Sequence, residues 1–266
     1  MGTIDLKNNN VKFIGDPQKR IEEDYLRIIR FIRFKIMYNS KIEETTNKAI
    51  KQNLNGIKKI SKERILVELY KILNLQNFIN LNESDYLKEI FNLIFPEFKN
   101  IKRLDRLKKI YKYSEINLKL ILAILLIDND NNHEYFSHKY NVSNEIKDEL
   151  HLLAKNFQSL KDNKDLFNKD LEKNIYLTDK SHLINLNILN FTSNPKLSLK
   201  DFSETLKKIL KSKTHQFHID GKYLMERGMK EGKLLGRVLK EIEEEWVDNN
   251  FNISDDRVKE IIKLNS

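Results

Sequence analysis

The stretch "GDPQKRIEEDYLRIIRFIRF", residues 15–34, combines a helix start, an apolar stripe and a series of charged residues. Asp16 is a good N-cap and Pro17 suits the first helical turn, so the sequence predicts a helix that begins here. Apolar residues then recur at helical spacing for four turns. These residues are Ile21, Tyr25, Ile28, Ile29, Ile32 and Ile36. We therefore expect one helix with a buried face along this stretch.

The rest of the chain also has the composition of a helical protein. Its 266 residues are 40% hydrophobic and include only 3 Pro and 7 Gly, and no sustained alternating pattern is present. A second helix is predicted from Lys41 to Leu54, ending at Asn55–Gly56, and Ser61 is a good N-cap for a third. The segment "VKFIG" (11–15) suits a short strand or an extended arm. We predict an all-α fold with an elongated arrangement of helices and a short N-terminal strand or arm.

Charge and cysteine content limit the class of partner and the compartment. The formal net charge is +9, which favours a polyanionic partner such as nucleic acid, although an inert basic surface remains the alternative. The chain has no cysteine, which excludes disulfides and cysteine-based zinc sites and fits a reducing cytoplasm. The longest apolar run, "LILAILLID" (120–128), is too short to span a membrane, and the first residues are polar. We expect a cytoplasmic protein without membrane association.

Two features suggest a metal at first sight. The segment "DNDNN" (128–132) fails as a calcium loop, because its sixth position is His133 rather than Gly and its twelfth is Lys139 rather than Glu. A polar turn that follows a helix is the preferred interpretation. The six histidines show no ligand spacing with carboxylates, so packing or surface roles are expected for them. Those histidines are residues 133, 138, 151, 182, 215 and 218.

The charged face of the first helix allows two interpretations. Glu23, Arg27 and Arg30 are spaced to share a face, and so are Arg20, Asp24 and Arg27. One interpretation is an exposed salt-bridge ladder beside the core stripe, with each pair worth about 0.3–0.5 kcal/mol. The other is a phosphate-binding or base-binding surface, because the arginines at steps of three residues exceed the charge of the local carboxylates.

The stretch 2–34 resembles the segment that links the catalytic head to the neck in class II CCA-adding tRNA nucleotidyltransferases and the related bacterial poly(A) polymerases. The residues that carry the resemblance are Gly2, Asp5, Leu6, Gly15, Asp16, Pro17, Arg20, Glu23, Asp24, Arg27, Arg30, Arg33 and Phe34. Downstream, "ETTNKAI" (44–50) and "ISKERILVELYKIL" (60–73) are similar to the neck, and "DGKYLMERGMKEGKLLGRVLKEIEEEW" (220–246) is similar to the tail. The resemblance implies a head remnant and hinge over 1–16, a neck over 17–75, a body over 76–189 and a tail over 190–266.

In this family the motif that corresponds to Glu23, Asp24 and Arg27 acts as a protein template for the incoming base. A carboxylate only accepts hydrogen bonds and a guanidinium only donates them. Cytosine and adenine both present an amino donor beside a ring-nitrogen acceptor, so Asp24 would accept from the amino group and Arg27 would donate to the ring nitrogen. Uracil and guanine present a carbonyl instead of the amino group, and the mismatch costs about 1–3 kcal/mol. Glu23 would hold Arg27 in orientation.

The resemblance also implies contacts beyond the template. Arg30 and Arg33 are expected to contact the nucleotide or RNA, and Arg20 and Arg64 are expected to contact RNA.

Two tail glycines carry a lesser hypothesis. Gly228 and Gly232 could let helix N-termini approach an RNA backbone. The alternative is that they serve as helix C-caps and allow close helix packing.

The family's head motifs are absent from this sequence. The Gly-Ser loop and the R-R-D motif of the head do not occur in it. The one D-x-D pattern is Asp128 and Asp130, which follow a predicted helix rather than a strand and have no phosphate-binding loop beside them, so they do not match the metal pair of the head. Phosphoryl transfer depends on metal ions and positioning, so we expect no transfer by this polypeptide alone and no cofactor bound by it alone. Mg²⁺ is implied only with a head domain, and CTP and ATP are the implied substrates. A truncated gene product, half of a split enzyme and a retained RNA-binding remnant remain open.

Three functional hypotheses follow. The first is the C-terminal part of a CCA-adding or poly(A)-adding transferase, with tRNA or another RNA 3′ end and a separately encoded head polypeptide as partners. The second is a tRNA-binding module without chemistry. The third is a helical scaffold for an unrelated partner.

Overall fold

The computed structural model describes residues 11–113, 115–163 and 165–265, and these residues contain fifteen α-helices and no β-strand. The all-α prediction is therefore confirmed. Short 3-10 helices cover Leu54–Lys59, Gln76–Glu83, Ile101–Arg103 and Tyr111–Tyr113. The α-helices are α1 Pro17–Glu23, α2 Leu26–Tyr38, α3 Glu44–Asn53, α4 Lys62–Leu73, α5 Asp85–Ile94, α6 Leu104–Ile110, α7 Leu118–Leu126, α8 Asn132–Tyr140, α9 Asn144–Asp162, α10 Leu171–Leu177, α11 Lys180–Ser193, α12 Leu199–Lys211, α13 Gly221–Met225, α14 Lys233–Asp248 and α15 Asp255–Leu264.

The predicted helix start at Asp16 is confirmed, but the single long helix is wrong. The carboxylate of Asp16 accepts hydrogen bonds from the backbone of Gln18 at 2.8 Å and of Lys19 at 3.4 Å. Helix α1 nevertheless ends at Glu23, and Asp24 adopts an extended backbone conformation with φ −157° and ψ 105°. The apolar stripe continues across this break, because Ile21 is buried and so are Ile28, Ile29, Ile32 and Ile36 in α2.

The other local predictions are correct in part. Ser61 caps α4 by accepting a hydrogen bond from the backbone of Arg64 at 3.4 Å. Helix α3 ends at Asn53, one residue before the predicted end, but Gly56 is not the stop that was expected, because it lies inside the 3-10 helix that follows α3. Residues 11–16 contain no strand, and they lie against α2 through Phe13, whose ring stacks on Phe31 at 5.3 Å. Gly2, Asp5 and Leu6 lie outside the described residues.

The described chain groups into two compact units. The larger comprises the described residues within Met1–Ser159 and Asn185–Phe202, and the smaller comprises those within Leu160–Ile184 and Ser203–Ser266. The boundaries that the resemblance implies for neck, body and tail stay a prediction.

Each unit has its own apolar core. In the larger unit, every side chain from Leu120 to Leu126 in α7 is buried, as expected for that apolar segment. Five phenylalanine rings pack in the same unit with centroid distances of 5.0–5.7 Å. These rings belong to Phe78, Phe91, Phe95, Phe98 and Phe136. The core of the smaller unit consists of Leu224, Met229, Val238, Ile242, Val258, Ile261 and Ile262.

Candidate nucleotide-binding and RNA-binding site

The junction between α1 and α2 is built around Asp24. Its backbone N–H donates to the carbonyl of Ile21 at 3.1 Å, which closes the end of α1. Its carboxylate oxygen Oδ1 accepts from the backbone N–H of Leu26 at 3.1 Å, and its carbonyl accepts from that of Arg27 at 3.0 Å. An aspartate side chain that accepts from a free N–H is a usual way to begin a helix, so Asp24 ends one helix and begins the next.

Tyr25 anchors this junction to the following helices. Its ring packs so close to Gly56 that a Cβ atom placed on Gly56 would lie 2.0 Å from Cδ1 of the ring. The ammonium of Lys59 lies 5.5 Å from the centre of the same ring, within the range of a cation–π contact. Gly56 therefore makes room for Tyr25, and the ring fixes the position of Asp24 beside it.

Glu23 holds two arginines at the end of α1. Its carboxylate contacts Nη1 of Arg27 at 2.7 Å and Nη1 of Arg20 at 3.0 Å. The same Nη1 of Arg27 donates to the carbonyl of Arg20 at 2.8 Å. Hydrogen bonds from Arg27 first, and then from Arg20, lower the pKa of Glu23. Glu23 therefore remains ionised, and the guanidinium of Arg27 is held in one orientation by two acceptors.

A cavity of about 270 Å³ lies beside this cluster. The guanidinium-bearing side chains of Arg20, Arg27 and Arg30 line it together with the rings of Phe31 and Phe34, and residues 11–14 close one side. Arg20 also donates from Nε to the carbonyl of Ile14 at 3.2 Å, which ties that segment to α1. Guanidinium groups beside aromatic faces can bind both phosphates and bases.

The side chains of Asp24 and Arg27 contact different groups in the structure. Oδ2 of Asp24 forms an ion pair with Nη2 of Arg64 at 3.0 Å, and Asp24 lies outside the lining of the cavity. Arg64 comes from the first turn of α4 and its side chain is 54% exposed. A carboxylate has about four lone-pair positions, so Asp24 still has capacity to accept from a ligand after its bonds to Leu26 and Arg64.

Arg33 faces another part of the molecule. Its Nε lies 3.0 Å from the carboxylate of Glu68 on α4, and the two side chains are only 15% and 7% exposed. Its guanidinium stacks over Phe34 at 4.4 Å, and Glu68 also binds Lys71. The expected series of three equivalent arginines is thus divided: Arg27 and Arg30 line the cavity, whereas Arg33 joins α2 to α4.

The two tail glycines adopt conformations that other residues rarely adopt. Gly228 has φ +97° at the end of the turn that follows α13, and Gly232 has φ +151° at the N-cap of α14. No atom lies within 4 Å of a Cβ placed on either residue, so neither is required by close packing. Gly228 therefore serves the turn that ends α13, and Gly232 leaves the start of α14 open.

The segment 128–132 forms the expected polar turn. Asp128 accepts backbone hydrogen bonds from Asp130 at 2.9 Å and from Asn132 at 3.3 Å, which leads the chain into α8.

Among the described residues, no helix combines the length and the apolar composition that a membrane span requires.

Sequence reasoning missed the aromatic part of the cavity and one cluster of side chains of the types that can bind a metal. Phe31 and Phe34 are three residues apart in the sequence beside the arginines, and this spacing could have predicted that the two rings share one face of the helix. His133, Glu134 and His151 also come together, and they are the one group of three or more such residues that the described part of the chain offers. Because His151 lies on another helix, spacing along the sequence gave no signal for that cluster.

Two family models match the chain. One is described as "Probable RNA and SrmB- binding site of polymerase A" and covers residues 40–102. The other is described as "tRNA nucleotidyltransferase domain 2 putative" and covers residues 102–260, more than half of the chain.

Relatives are similar along nearly the whole chain. A CCA-adding enzyme of Lactobacillus helveticus is 27% identical over 274 residues, which cover 98% of this chain and 65% of that enzyme. The human mitochondrial CCA tRNA nucleotidyltransferase 1 is 26% identical over 278 residues, which cover 98% of this chain and 60% of that enzyme. The chain therefore spans somewhat less than two thirds of the length of these relatives.

Solved structures share the fold. A CCA-adding enzyme in complex with ATP matches with a TM-score of 0.62 and 21% identity, over 99% of this chain and 65% of that chain. A Thermotoga maritima CCA-adding enzyme complexed with tRNA matches with a TM-score of 0.57 and 21% identity, over 100% of this chain and 66% of that chain.

Proposed function

The chain belongs to the class II CCA-adding tRNA nucleotidyltransferase family and corresponds to its C-terminal portion, and we propose that this chain selects CTP or ATP and binds the 3′ end of tRNA or another RNA. One observation carries the proposal: Glu23 fixes Arg27 at the wall of a cavity that also presents Arg20, Arg30 and aromatic rings. A guanidinium held by an ion pair is preorganised, so less conformational entropy is lost when it binds a ligand.

Base selection is assigned to Asp24 and Arg27. Arg27 donates to the ring nitrogen of cytosine or adenine, and Asp24 accepts from the amino group. Asp24 forms an ion pair with Arg64, and its remaining lone pairs can accept from a base while that ion pair is kept. UTP and GTP present an acceptor to this carboxylate and are rejected.

Arg20 and Arg30 are assigned to phosphate groups of the nucleotide or of RNA. Both line the cavity, and Arg30 forms no ion pair with any described residue. Arg64 reaches RNA from its exposed position on α4. Arg33 acts indirectly, because its pair with Glu68 keeps α2, and with it Arg27 and Arg30, in place against α4. Gly232 leaves the N–H groups at the start of α14 accessible to an RNA phosphate, with Gly228 shaping the preceding turn.

Nucleotidyl transfer itself requires groups beyond this sequence. The Gly-Ser loop and the R-R-D motif of the family's head do not occur in its 266 residues, and the one D-x-D pair, Asp128 and Asp130, lies in the polar turn before α8. Mg²⁺ would neutralise the triphosphate and stabilise the leaving group, and its ligands would come from a head, either on a separate polypeptide or on a longer chain.

The test of base selection is equilibrium binding of CTP, ATP, UTP and GTP to the purified chain. We expect CTP and ATP to bind about 5–150-fold more tightly than UTP and GTP, which corresponds to about 1–3 kcal/mol for one mismatched polar group. Asp24→Ala should remove this preference, and Arg27→Ala should weaken CTP and ATP binding. Asp85→Ala, an exposed aspartate at the start of α5, is the matched control and should retain the preference.

Equal affinity of the wild-type chain for all four nucleotides would contradict base selection. A preference for CTP and ATP that persists in Asp24→Ala would also contradict base selection by Asp24. A mixture of the chain with a head polypeptide that carries the Gly-Ser and D-x-D motifs should add nucleotides to tRNA, with relaxed base choice in Asp24→Ala.

The second candidate function is a non-catalytic tRNA-binding module, which the match to a probable RNA-binding site over residues 40–102 favours. It predicts tight tRNA binding by the wild-type chain without nucleotide preference and without activity in the mixture. Those results together would replace the first proposal by the second.

A further inference from the structure

One side-chain cluster outside the nucleotide-binding and RNA-binding site has the composition of a metal centre. His133 and Glu134 lie in the first turn of α8, and His151 lies on α9. One ligand atom from each of the three side chains lies within 4.8 Å of the others. Two imidazoles and one carboxylate form a ligand set that suits zinc and similar divalent transition metals, whereas Mg²⁺ and Ca²⁺ prefer oxygen ligands alone.

His133 provides an independent indication that the cluster binds a ligand. Its side chain is only 3% exposed, and neither Nδ1 nor Nε2 has a hydrogen-bond partner. Buried polar atoms without a partner are rare in native proteins and need a physical explanation. Both ring nitrogens are therefore available to a ligand that enters the cluster.

The geometry requires little change to hold an ion. Nδ1 of His151 lies 3.3 Å from Oε1 of Glu134. Tetrahedral zinc with bonds of about 2.0–2.1 Å places neighbouring ligand atoms roughly 3.3 Å apart. Those two side chains are 65% and 52% exposed, so they are free to rotate toward the buried imidazole, and water can reach a fourth coordination position.

We propose that His133, Glu134 and His151 bind one divalent transition metal ion, with Zn²⁺ as the best fit, and that the ion joins the start of α8 to α9. The fourth position would be taken by water, as in zinc sites with three protein ligands. The site is distinct from the Mg²⁺ that nucleotidyl transfer requires, and its occupancy depends on neither CTP nor RNA.

The test is a zinc titration of the purified chain after treatment with a chelator, with a competing zinc indicator as the readout. We expect one tight site per chain. His151→Gln and Glu134→Gln should each weaken zinc binding by more than about tenfold, since even loss of an outer partner of a metal ligand costs 10–100-fold. Both side chains are exposed, so these variants should fold. His138→Gln changes an exposed histidine on the same helix and should bind like the wild type.

Thermal unfolding gives a second readout. Zn²⁺ at about a hundred times its dissociation constant should raise the Tm of the wild type and of His138→Gln by roughly 5 °C or more, and should have less effect on the other two variants. The proposal is overturned if the wild type shows no saturable zinc binding. It is also overturned if His151→Gln binds zinc as tightly as the wild type, because the ion would then bind elsewhere.

Discussion

Tyr25 and Gly56 show how one small residue positions the charged junction between α1 and α2. The ring of Tyr25 occupies the space where any side chain on residue 56 would begin. Tyr25 follows Asp24 directly, so a displacement of the ring would also move the carboxylate that is proposed to read the base. The glycine is needed for space, and it lies far along the chain from the residues that it serves.

Gly56→Ala should lower the free energy of unfolding by about 1–3 kcal/mol, because the added methyl group overlaps the ring of Tyr25 and forces a rearrangement. Gly236→Ala is the matched control: Gly236 lies inside α14, with nothing within 4 Å of a Cβ on it. That change should raise the free energy of unfolding by about 0.5–1 kcal/mol. Urea unfolding measures both, and a Gly56→Ala variant as stable as the wild type would contradict the close contact.

At the scale of elements, the pair between Arg33 and Glu68 connects α2 to α4. Both side chains are largely buried, whereas the pair of Arg27 with Glu23 lies at the surface with 33% and 48% exposure. The two pairs therefore have different roles. The exposed pair orients a group that faces the cavity, and the buried pair keeps two helices in register.

Glu68→Gln should destabilise the chain by roughly 2–3 kcal/mol, because it leaves the guanidinium of Arg33 without its counter-charge at low exposure. We place the value below the full cost of a broken buried pair because Arg33 is 15% exposed. Glu89→Gln removes the partner of Lys51 in an exposed pair and should cost less than about 1 kcal/mol. Chemical denaturation of both variants checks the prediction, and equal losses would contradict it.

At the scale of elements, sequence patterns predicted the presence of helices more accurately than the residues at which the helices end. Asp16 and Ser61 cap helices as expected, because a cap depends on residues only two or three positions away. The break at Asp24 was missed, because the apolar spacing continues through it and hides the change in backbone direction. Gly56 was mistaken for a helix end, because its role depends on Tyr25 rather than on its neighbours in sequence.

At the scale of the whole molecule, the net charge of +9 favours binding to a polyanion. The proposed partner, tRNA, carries one phosphate per nucleotide, and contacts with Arg20, Arg30, Arg64 and other basic side chains would release counterions from it. Binding of this kind weakens steeply as salt rises.

The affinity of the chain for tRNA should therefore fall at least about tenfold between 50 mM and 200 mM salt, since proteins with 6–10 phosphate contacts lose about 10³–10⁵ over that range. Filter binding or fluorescence anisotropy at several salt concentrations measures the slope. The free energy of unfolding, measured in the same buffers, is the control for an effect of salt on the fold. An affinity that does not change with salt would count against phosphate contacts.

The sequence by itself determined the all-α class, the start of the first helix and the pairing of Glu23 with Arg27. These features depend on composition or on residues within one or two turns of each other, where the backbone dictates which side chains meet. The motif residues also identified the family before any contact was known.

Only the tertiary structure decided which charged residues line the cavity and which ones join helices. Asp24 meets Arg64 and Arg33 meets Glu68 across intervals of 40 and 35 positions, and His133 and Glu134 meet His151 on another helix. Such contacts arise when apolar faces pack and bring distant helices together, and no local pattern encodes which side chains then face each other. The same packing leaves Arg27 and Arg30 at the cavity, while Arg33 is largely covered and pairs with Glu68.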